Sequence, residues 1–264
     1  LSFFTNTRLL YIPHGNHYLT SKNFLDRSYK YFDRFFLKKC TVYLMSYAEK
    51  IRYSSNNITI KNPSVIRNYI DNKSFTINNI KKADNIYKLF WIGRCDPHKN
   101  LLLALRLIKR WNKNNSKQIN LDVFITNPSN EIEKKYFQKC IDEGIDNWSI
   151  SKDDLNYANL KISHDALLFS SMGEGSSFVL AESILQRIPI IALKSHGVSE
   201  VVGKKRGFLY TNYKSFSIAL SGLDMKKGVV NYHQKTYAEK YLTKEKVVFE
   251  QKRLIEKASN DKIF

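Results

Sequence analysis

The sequence is poor in the residues that mark several classes of protein. It holds only three cysteines, five prolines and ten glycines among 264 residues. Cysteines that are so few and so scattered exclude a disulfide framework and a cysteine-rich metal cluster, and they favour a reducing, cytoplasmic setting. The low glycine and proline content, together with 43% hydrophobic residues, excludes a collagen-like, fibrous or disordered chain.

Long hydrophobic runs are also absent. No stretch approaches the roughly 18 unbroken apolar residues of a membrane span, and no charged segment followed by an apolar one precedes a cleavage site. The chain begins with Leu1 and Ser2 rather than with Met, from which we expect that the start of a longer protein is missing. A length of 264 residues predicts one large domain or two domains of roughly 100–200 residues each.

Acidic residues are scarce relative to basic ones. The 43 Lys and Arg against 24 Asp and Glu give a formal charge of +19, of which residues 1–86 carry +9. Within residues 29–39 the basic side chains alternate with aromatic ones. Three interpretations remain open for this region: nucleic-acid binding, a face that rests on anionic lipid, and an ordinary solvated helix.

From residue 86 onward, short apolar segments alternate with segments of helical periodicity. The predicted strands cover residues 86–92, 121–126, 148–150, 166–169 and 189–193, and the predicted helices cover residues 100–111, 131–143, 155–163 and 178–186. Short, fully apolar strands between helices are typical of a parallel sheet that is covered on both faces. We therefore predict an α/β fold with a Rossmann-like, doubly wound parallel sheet.

The same pattern divides the chain into three parts. We predict a partial N-terminal domain and linker over residues 1–80, a complete ligand-binding domain over residues 81–232, and a C-terminal helix over residues 233–264 that packs back toward the N-terminal part. The polar stretch 71–85 is the best candidate for the linker. In the N-terminal part the predicted elements are strands at residues 9–13, 41–45 and 58–61 and helices at residues 24–39 and 48–53.

Two loops follow predicted strands of the ligand-binding domain, where such sheets bind anions. In the first loop Gly93 allows a tight turn, and Arg94 and Lys99 then project two cations over the strand end. Arg offers a bidentate fork to phosphate oxygens and Lys offers a mobile point charge, which together suit a diphosphate. Taken alone, this loop favours the simpler interpretation that the two cations are solvated side chains of a first helical turn.

The second loop carries carboxylates where a phosphate would repel them. Glu174 and Glu182 are eight residues apart, and Gly175, Ser176 and Ser177 open the helix between them. An ionised carboxylate can accept hydrogen bonds from two neighbouring sugar hydroxyls, so the predicted ligand is part anion and part polyol. The alternative is that both are ordinary helix carboxylates, although the apolar neighbours of Glu182 make it a poor site for an unpartnered charge.

The motifs over residues 88–210 resemble the nucleotide-sugar-binding domain of the family 4 (group 1) retaining glycosyltransferases of the GT-B fold. Weaker similarity upstream covers what resembles only the last third of that family's acceptor-side domain. The residues that carry the resemblance are Gly93-Arg94, Lys99-Asn100, Ser171 to Gly175, Glu182, Ile188 to Leu193, Gly197 to Val202 and Gly207 to Leu209, with Pro13-His14-Gly15, Ser46 and Ile60 to Pro63 upstream.

The resemblance implies a role for each matching residue. Arg94 and Lys99 would neutralise the donor diphosphate and stabilise the leaving nucleotide. Glu174 would hold the hydroxyls of the transferred sugar, and Glu182 would bind the ribose. His14 falls where the family often has a histidine near the donor sugar.

Further donor contacts would come from the N–H groups around Ser176–Phe178. The family usually continues Gly-Phe-Gly where this chain has Gly175 followed by Ser176 and Ser177. The two serines would add hydroxyl donors, and they leave the identity of the donor open.

The activity implied by the resemblance is that of a hexosyltransferase. It would move a sugar, with retention and without a metal or cofactor, from a nucleotide diphosphate sugar to an acceptor hydroxyl in bacterial cell-surface polysaccharide or lipopolysaccharide assembly. The alternative is a non-catalytic nucleotide-sugar-binding module. A nucleic-acid-binding protein ranks last, since it leaves Glu174 and Glu182 unexplained. We expect a cytoplasmic protein with a sugar or lipid-linked saccharide acceptor, which is peripheral to an anionic membrane surface through residues 1–86.

Overall fold

The structure is a computed structural model that describes residues 10–12, 24–60, 63–67, 70, 86–125, 129–144, 147–150 and 157–260. The chain divides into two compact units. The first unit consists of Leu1–Asp71, Glu174–Ser176 and Lys240–Phe264, and the second unit consists of Asn72–Gly173 and Ser177–Glu239. His14 and the predicted linker at residues 71–85 lie outside the described residues.

The described residues form strands and helices in this chain order: β1 (Leu10–Tyr11), α1 (Phe24–Lys39), β2 (Thr41–Leu44), α2 (Tyr47–Ser55), β3 (Ser64–Val65), β4 (Ile86–Gly93), α3 (Leu101–Asn114), β5 (Gln118–Ile125), α4 (Glu131–Asp142), β6 (Trp148–Ile150), α5 (Tyr157–Ser163), β7 (Ala166–Phe169), α6 (Phe178–Leu185), β8 (Ile190–Leu193), α7 (Val198–Val202), β9 (Phe208–Tyr210), α8 (Tyr213–Ser221), α9 (Leu223–Tyr241) and α10 (Lys244–Asn260).

Among the described residues, the first unit contains three short parallel strands in the order β1-β2-β3. Each apolar side chain that this sheet buries contributes roughly 1.5–3 kcal/mol relative to exposure. Five residues form its core: Leu37, Val42, Leu44, Tyr53 and Ile58.

The buried carboxylate of Asp33 links α1 to its neighbours in the first unit. It accepts hydrogen bonds from the hydroxyls of Tyr11 at 2.6 Å and Tyr53 at 3.2 Å. Burial raises the pKa of Asp33, and the two phenol donors oppose that rise. The two hydrogen bonds stabilise the first unit, because a buried carboxylate without partners is strongly destabilising.

The third strand of the first unit is β3, so the strand predicted over residues 58–61 is wrong: residues 58–60 form none. After α2 the chain turns through Asn57, which has a φ of 58°. The Ile58 N–H then donates to the Tyr53 carbonyl at 3.0 Å. Residues 56–58 therefore close the end of α2 instead of joining the sheet. The apolar signal arises because Ile58 fills the core.

The described part of the second unit contains six parallel strands in the order β6-β5-β4-β7-β8-β9. The strand order reverses at β4 and β7, since the strands that follow β4 extend the sheet to one side and those from β7 onward extend it to the other. This is the doubly wound, Rossmann-like order, and it confirms the predicted parallel α/β fold. At such a reversal a crevice opens beyond the carboxyl ends of the two central strands.

Helix α3 shows how the sequence buries one face of a helix against this sheet. Apolar residues recur at the spacing that places them on one helical face, and Leu101, Leu105 and Ile108 are fully buried. Strand β7 is buried at all four positions, as expected for a central strand that is covered on both sides.

Three predicted elements coincide with the structure residue for residue, namely α1, β6 and β7. The elements β3, α7, β9 and α8 were not predicted, and α9 was predicted only from residue 233 onward. None of the helices in the described part of the chain is both long and apolar enough to cross a membrane.

The C-terminal residues 233–264, predicted as one helix, hold the end of α9 and all of α10. Leu242 is buried, and its carbonyl accepts a hydrogen bond from the Ile70 N–H at 3.3 Å. The carbonyl of Thr243 accepts one from the Val247 N–H at 3.0 Å, which starts α10. The helix is interrupted because the chain pairs with residue 70 at this point.

A group of side chains around Asp122 connects β5 to the residues before β7. Asp122 Oδ2 lies 2.9 Å from His164 Nε2, and Oδ1 accepts a hydrogen bond from Ser149 at 2.9 Å. The buried His164 also contacts the Ser163 hydroxyl through Nδ1 at 2.7 Å. The hydrogen bond from His164, aided by that from Ser149, lowers the pKa of Asp122 to about 2.

We expect Asp122→Asn to lower the free energy of unfolding by about 1–2 kcal/mol at pH 7, a range that allows for screening by water. A carboxylate whose pKa is lowered in the folded state stabilises the fold above its unfolded pKa of about 3.9, and this stabilisation is lost as the pH falls toward 2. Urea unfolding at neutral pH and at about pH 3 measures the effect.

The control for Asp122→Asn is Glu131→Gln. This substitution removes a carboxylate whose side chain is 75% exposed and forms an ion pair with Lys134 at 3.1 Å. We expect it to change stability by less than about 0.5 kcal/mol. A wild-type advantage over Asp122→Asn that does not shrink at low pH would contradict the assignment.

Candidate functional site

The loops that follow β4 and β7 leave the sheet side by side. The two strands pair directly, with Leu89 opposite Ala166 and Phe90 opposite Leu167. Both loops therefore start at the point where the strand order reverses. This edge of the second unit is where a doubly wound sheet offers a ligand site.

In the loop after β4, a single carboxylate organises the two predicted phosphate ligands. Asp96 Oδ2 forms an ion pair with Arg94 at 3.2 Å, and its Oδ1 accepts a hydrogen bond from the Lys99 N–H at 3.0 Å. The side chain of Arg94 remains 65% exposed, so its guanidinium can meet an anion from solution. The structure thus places the two cations in one loop that Asp96 holds in shape.

A buried hydroxyl joins this loop to the next one. The Trp91 ring N–H donates to the Ser170 hydroxyl at 2.9 Å, and that hydroxyl donates to the Lys99 carbonyl at 2.8 Å. Ser170 is fully buried. The backbone at Lys99 is therefore fixed by the strand core and by the first residue after β7 together.

His98 adds a second connection between the two loops. Its carbonyl accepts a hydrogen bond from the Met172 N–H at 2.9 Å, and its ring Nε2 lies 2.6 Å from the Gly173 carbonyl. None of His98, Trp91 and Ser170 was assigned a role in the site from the sequence. No motif marks these residues, because their role depends on which strands are neighbours.

Gly93 is needed for space rather than for a tight turn. Its φ is not positive, unlike those of Gly144, Gly197 and Gly203, so the predicted reason for this glycine is corrected. A Cβ at this position would lie only 2.9 Å from the Trp91 ring. That ring is 2% exposed and cannot easily move away.

Helix α6 begins in the second loop. Ser177 is the N-cap, and its hydroxyl accepts a hydrogen bond from the Leu180 N–H at 3.4 Å. The Ser177 oxygen therefore satisfies one N–H group at the helix end, and its role as a hydroxyl donor to a ligand stays a prediction. Phe178, the first helical residue, is 54% exposed. The first N–H groups of a helix have no partner within the helix and attract anions.

Glu182 lies in the second turn of α6 and is half-buried. Burial raises its pKa, and the neighbouring Tyr157 hydroxyl opposes that rise. Burial also raises the pKa of Tyr157, and Glu182 adds to this effect. The two groups are adjacent without a hydrogen bond of normal geometry. Tyr157 is a neighbour of the predicted site that sequence reasoning missed.

The turn Glu174–Ser176 belongs to the first unit, and all three of its residues are half-buried. A Cβ on Gly175 would lie 2.7 Å from Glu49 Oε1. The carboxylate of Glu49 is buried, and its Oε2 accepts a hydrogen bond from the Met45 N–H at 2.8 Å. Gly175 is thus required by the closeness of a fixed carboxylate within the first unit.

The structure brings some of the predicted site residues together and leaves others as predictions. Arg94 and Lys99 share one loop, and Ser177, Phe178 and Glu182 belong to the start of α6 in the same unit. The common orientation of Glu174 and Glu182 and the role of His14 stay predictions. No group of three or more metal-ligating side chains that could hold an ion occurs among the described residues.

Within the residues that the structure describes, the second unit has six parallel strands, a cationic loop after β4 and a helix that starts after β7. These are the features of a nucleotide-binding class of α/β domain. The family profile described as "Glycosyl transferases group 1" matches residues 72–222, more than half of the chain. The chain belongs to the group 1 glycosyltransferase family, and its fold is of the GT-B type. A search of curated proteins finds no match.

The solved structures that are similar to this chain share its fold at low sequence identity. HepE of Anabaena, solved with UDP-glucose, has a TM-score of 0.74 and 16% identity over 98% of this chain and 74% of its own. Sucrose-phosphate synthase from Thermosynechococcus elongatus has a TM-score of 0.77 and 14% identity over 94% of this chain and 67% of its own.

The third comparison is TarM of S. aureus, in a complex that includes UDP. It has a TM-score of 0.72 and 16% identity, over 95% of this chain and 51% of its own. The chain therefore spans about half the length of TarM. At such identities these similarities establish the fold and no further property.

We expect Gly93→Ala to lower the melting temperature by several degrees, since the added methyl group collides with a buried ring in a packed core. Thermal unfolding followed by circular dichroism measures the change. The control is Gly228→Ala in α9, where a Cβ meets nothing within 4 Å and alanine favours the helix by about 1 kcal/mol. If both variants change stability in the same direction, the steric role of Gly93 is refuted.

Proposed function

We propose that the protein is a family 4, retaining glycosyltransferase that moves a sugar from a nucleotide diphosphate sugar to an acceptor hydroxyl. The observation that carries this proposal lies at the β4–β7 edge of the second unit. There a loop with two cations, Arg94 and Lys99, is hydrogen-bonded to the loop that leads into the helix of Glu182. Cations suit a diphosphate and a carboxylate suits the hydroxyls of a sugar.

The donor diphosphate lies between the cationic loop and the start of α6. Arg94 is exposed and steadied by Asp96, so it is ready to form a bidentate contact with phosphate oxygens. The first N–H groups of α6, near Phe178, supply further donors and the positive end of the helix dipole. The family resemblance assigns Lys99 as the second cation that contacts the diphosphate.

Glu182 binds the ribose of the donor. A half-buried carboxylate with a raised pKa has little reason to occur in a helix among apolar residues unless it acts on a ligand. Its ionised form accepts hydrogen bonds from two adjacent hydroxyls. Tyr157 beside it restricts the orientation of the carboxylate.

The resemblance assigns two further residues to the transferred sugar. Glu174 holds its hydroxyls, and His14 lies near it. In the transfer step the bond between the anomeric carbon and the diphosphate oxygen breaks, and the diphosphate leaves with the electron pair. The acceptor oxygen bonds to the anomeric carbon on the same face and releases its proton to the departing phosphate.

The enzyme accelerates this step by electrostatic stabilisation of the leaving diphosphate and by positioning of the acceptor. The proposal assigns neutralisation of the diphosphate to Arg94 and Lys99 rather than to a metal ion. The complex of HepE with UDP-glucose supports the class of donor. By family resemblance the reaction belongs to bacterial polysaccharide or lipopolysaccharide assembly, with a sugar or lipid-linked saccharide as acceptor.

A thermal-shift panel of UDP-, GDP- and ADP-sugars tests this function, because a ligand that binds only the folded state stabilises it. We expect one nucleotide class to raise the melting temperature. In that class, Arg94→Gln weakens donor binding by about 10–100-fold through the loss of a charge-assisted hydrogen bond. Lys135→Gln removes a cation from an exposed position and is the control.

Glu182→Gln gives a sharper result, since we expect it to weaken donor binding by at least about tenfold while the protein without ligand becomes more stable. When folding raises the pKa of a carboxyl group, the folded protein loses stability as the pH rises through that pKa. The variant therefore melts about 1–2 °C higher at pH 8. A stable Glu182→Gln variant with unchanged donor binding would contradict the assignment of Glu182 to the ribose.

The wild-type protein distinguishes the two functions that the sequence left open. If it binds the donor but does not hydrolyse it, the protein is the non-catalytic nucleotide-sugar-binding module.

We further propose that α1 rests on an anionic membrane surface. Tyr31, Phe32 and Phe35 are 71%, 63% and 50% exposed, whereas Asp33 and Leu37 on the opposite side of the helix are buried. Rings of this kind, exposed in adjacent turns next to cations, suit the lipid headgroup region. The net charge of +9 over residues 1–86 adds long-range attraction to anionic lipid.

Sedimentation with vesicles tests the contribution of α1. We expect the protein to bind vesicles of phosphatidylglycerol and phosphatidylcholine in equal parts and to bind phosphatidylcholine alone much less. Tyr31→Gln with Phe35→Gln lowers the partition coefficient by about tenfold or more, because two rings no longer enter the interface. Ile132→Gln in α4, also at a highly exposed position (69%), is the control, and an equal loss in it contradicts this role of α1.

A further inference from the structure

A cavity of about 570 Å³ lies within the first unit, apart from the loops after β4 and β7. Its walls are β3 with the residues that follow it, the last two residues of α9, and one side of α10. The volume falls in the range of about 300–1,000 Å³ that is usual for sites of small ligands.

The cavity is placed where a parallel sheet is expected to bind a ligand. Tyr47 comes shortly after the carboxyl end of β2, and Ile66 and Arg67 directly follow the carboxyl end of β3. In open parallel sheets ligands bind beyond these strand ends. Topology therefore points to this cavity independently of its charge.

The charge of the lining is strongly positive. Among the described residues that line the cavity, Arg67, Lys240, Lys246 and Arg253 are cationic and Glu250 is the one carboxylate. Glu250 forms an ion pair with Arg253 at 2.8 Å. Four cations against one carboxylate create a potential that concentrates anions.

Two of the cations contact the same aromatic ring of the lining. The Arg67 guanidinium carbon lies 4.8 Å from the centre of the Tyr241 ring, and Lys240 Nζ lies 5.0 Å from it. Each contact with the ring is favourable. The ring thus anchors a guanidinium and an ammonium group at the wall of the cavity.

We propose that this cavity binds the phosphate group of a small phosphorylated ligand. The guanidinium of Arg67 offers a planar fork to phosphate oxygens, and the lysines add mobile charges. The volume leaves room for a sugar-sized group or a lipid headgroup attached to the phosphate. The proposal goes beyond sugar transfer and does not depend on it, since it uses none of the residues of the donor site.

Calorimetric titration with inorganic pyrophosphate tests the proposal in an Arg94→Gln background, which weakens binding at the donor loop. We expect Lys240→Gln with Lys246→Gln to raise the Kd by about tenfold or more. Both positions are exposed, so the variant is expected to fold. Lys252→Gln on α10 is the matched control, because it is exposed and does not line the cavity. It changes the Kd by less than about twofold.

Glu250→Gln supplies a test in the opposite direction. It removes the carboxylate that repels an anion and that pairs with Arg253, and we expect it to lower the Kd by about threefold. Tighter binding cannot result from loss of structure. The proposal is overturned if Lys252→Gln raises the Kd as much as the double variant does. It is also overturned if Glu250→Gln raises the Kd.

Competition identifies the source of the phosphate. If glucose 6-phosphate displaces pyrophosphate from the Arg94→Gln protein, the ligand is a soluble phosphorylated sugar. Vesicles of phosphatidic acid that displace it, where phosphatidylcholine vesicles do not, indicate a lipid headgroup. Either result supports the proposal if the competitor displaces the same pyrophosphate binding that Lys240→Gln with Lys246→Gln removes. If neither competitor displaces pyrophosphate, the proposal is contradicted.

Discussion

The buried hydroxyl of Ser170 is the contact on which the candidate donor site depends. It accepts the ring N–H of Trp91 and donates to the carbonyl of Lys99, so one hydroxyl satisfies the core of β4 and fixes the loop that follows it. A buried hydroxyl that makes both hydrogen bonds stabilises the fold. Without Ser170, the buried Trp91 N–H and the Lys99 carbonyl would each lose a partner, which would destabilise the fold. Gly93 then has to lack a side chain, because the Trp91 ring occupies that space. The position of the cationic loop thus follows from how one tryptophan is packed.

The positive charge of the protein is distributed over surfaces with different chemistry. In the second unit, Arg94 is held by Asp96 in a loop next to a helix start, an arrangement that suits a diphosphate. In the first unit, α1 combines cations with exposed rings, whereas the cavity beside β3 combines cations with a partly enclosed space. A net charge of +19 says only that anions are attracted. The neighbours of each cation determine which anion fits.

Local patterns predicted a large part of the fold. The bounds of α1, β6 and β7 follow from periodicity and from short apolar runs. The strand predicted over residues 58–61 failed because Ile58 is apolar for the sake of the core while its backbone closes α2. The break between α9 and α10 was missed because it depends on pairing with Ile70, about 170 residues earlier in the chain. A sequence pattern reports burial and periodicity, and neither states which distant segment is the neighbour.

The sequence by itself determined the class of fold, the alternation of strands and helices between β4 and β8, and the residues proposed to bind a ligand, which are Arg94, Lys99, Glu174 and Glu182. These depend on spacing along the chain, which a sequence states directly. Only the tertiary structure decided that Gly93 leaves room for the Trp91 ring, that Tyr157 lies beside Glu182, and that a cationic cavity is lined by Tyr47, by residues 63–67 and by residues between 240 and 254. These facts arise from contacts between segments far apart in the chain, and such contacts exist only once the chain has packed.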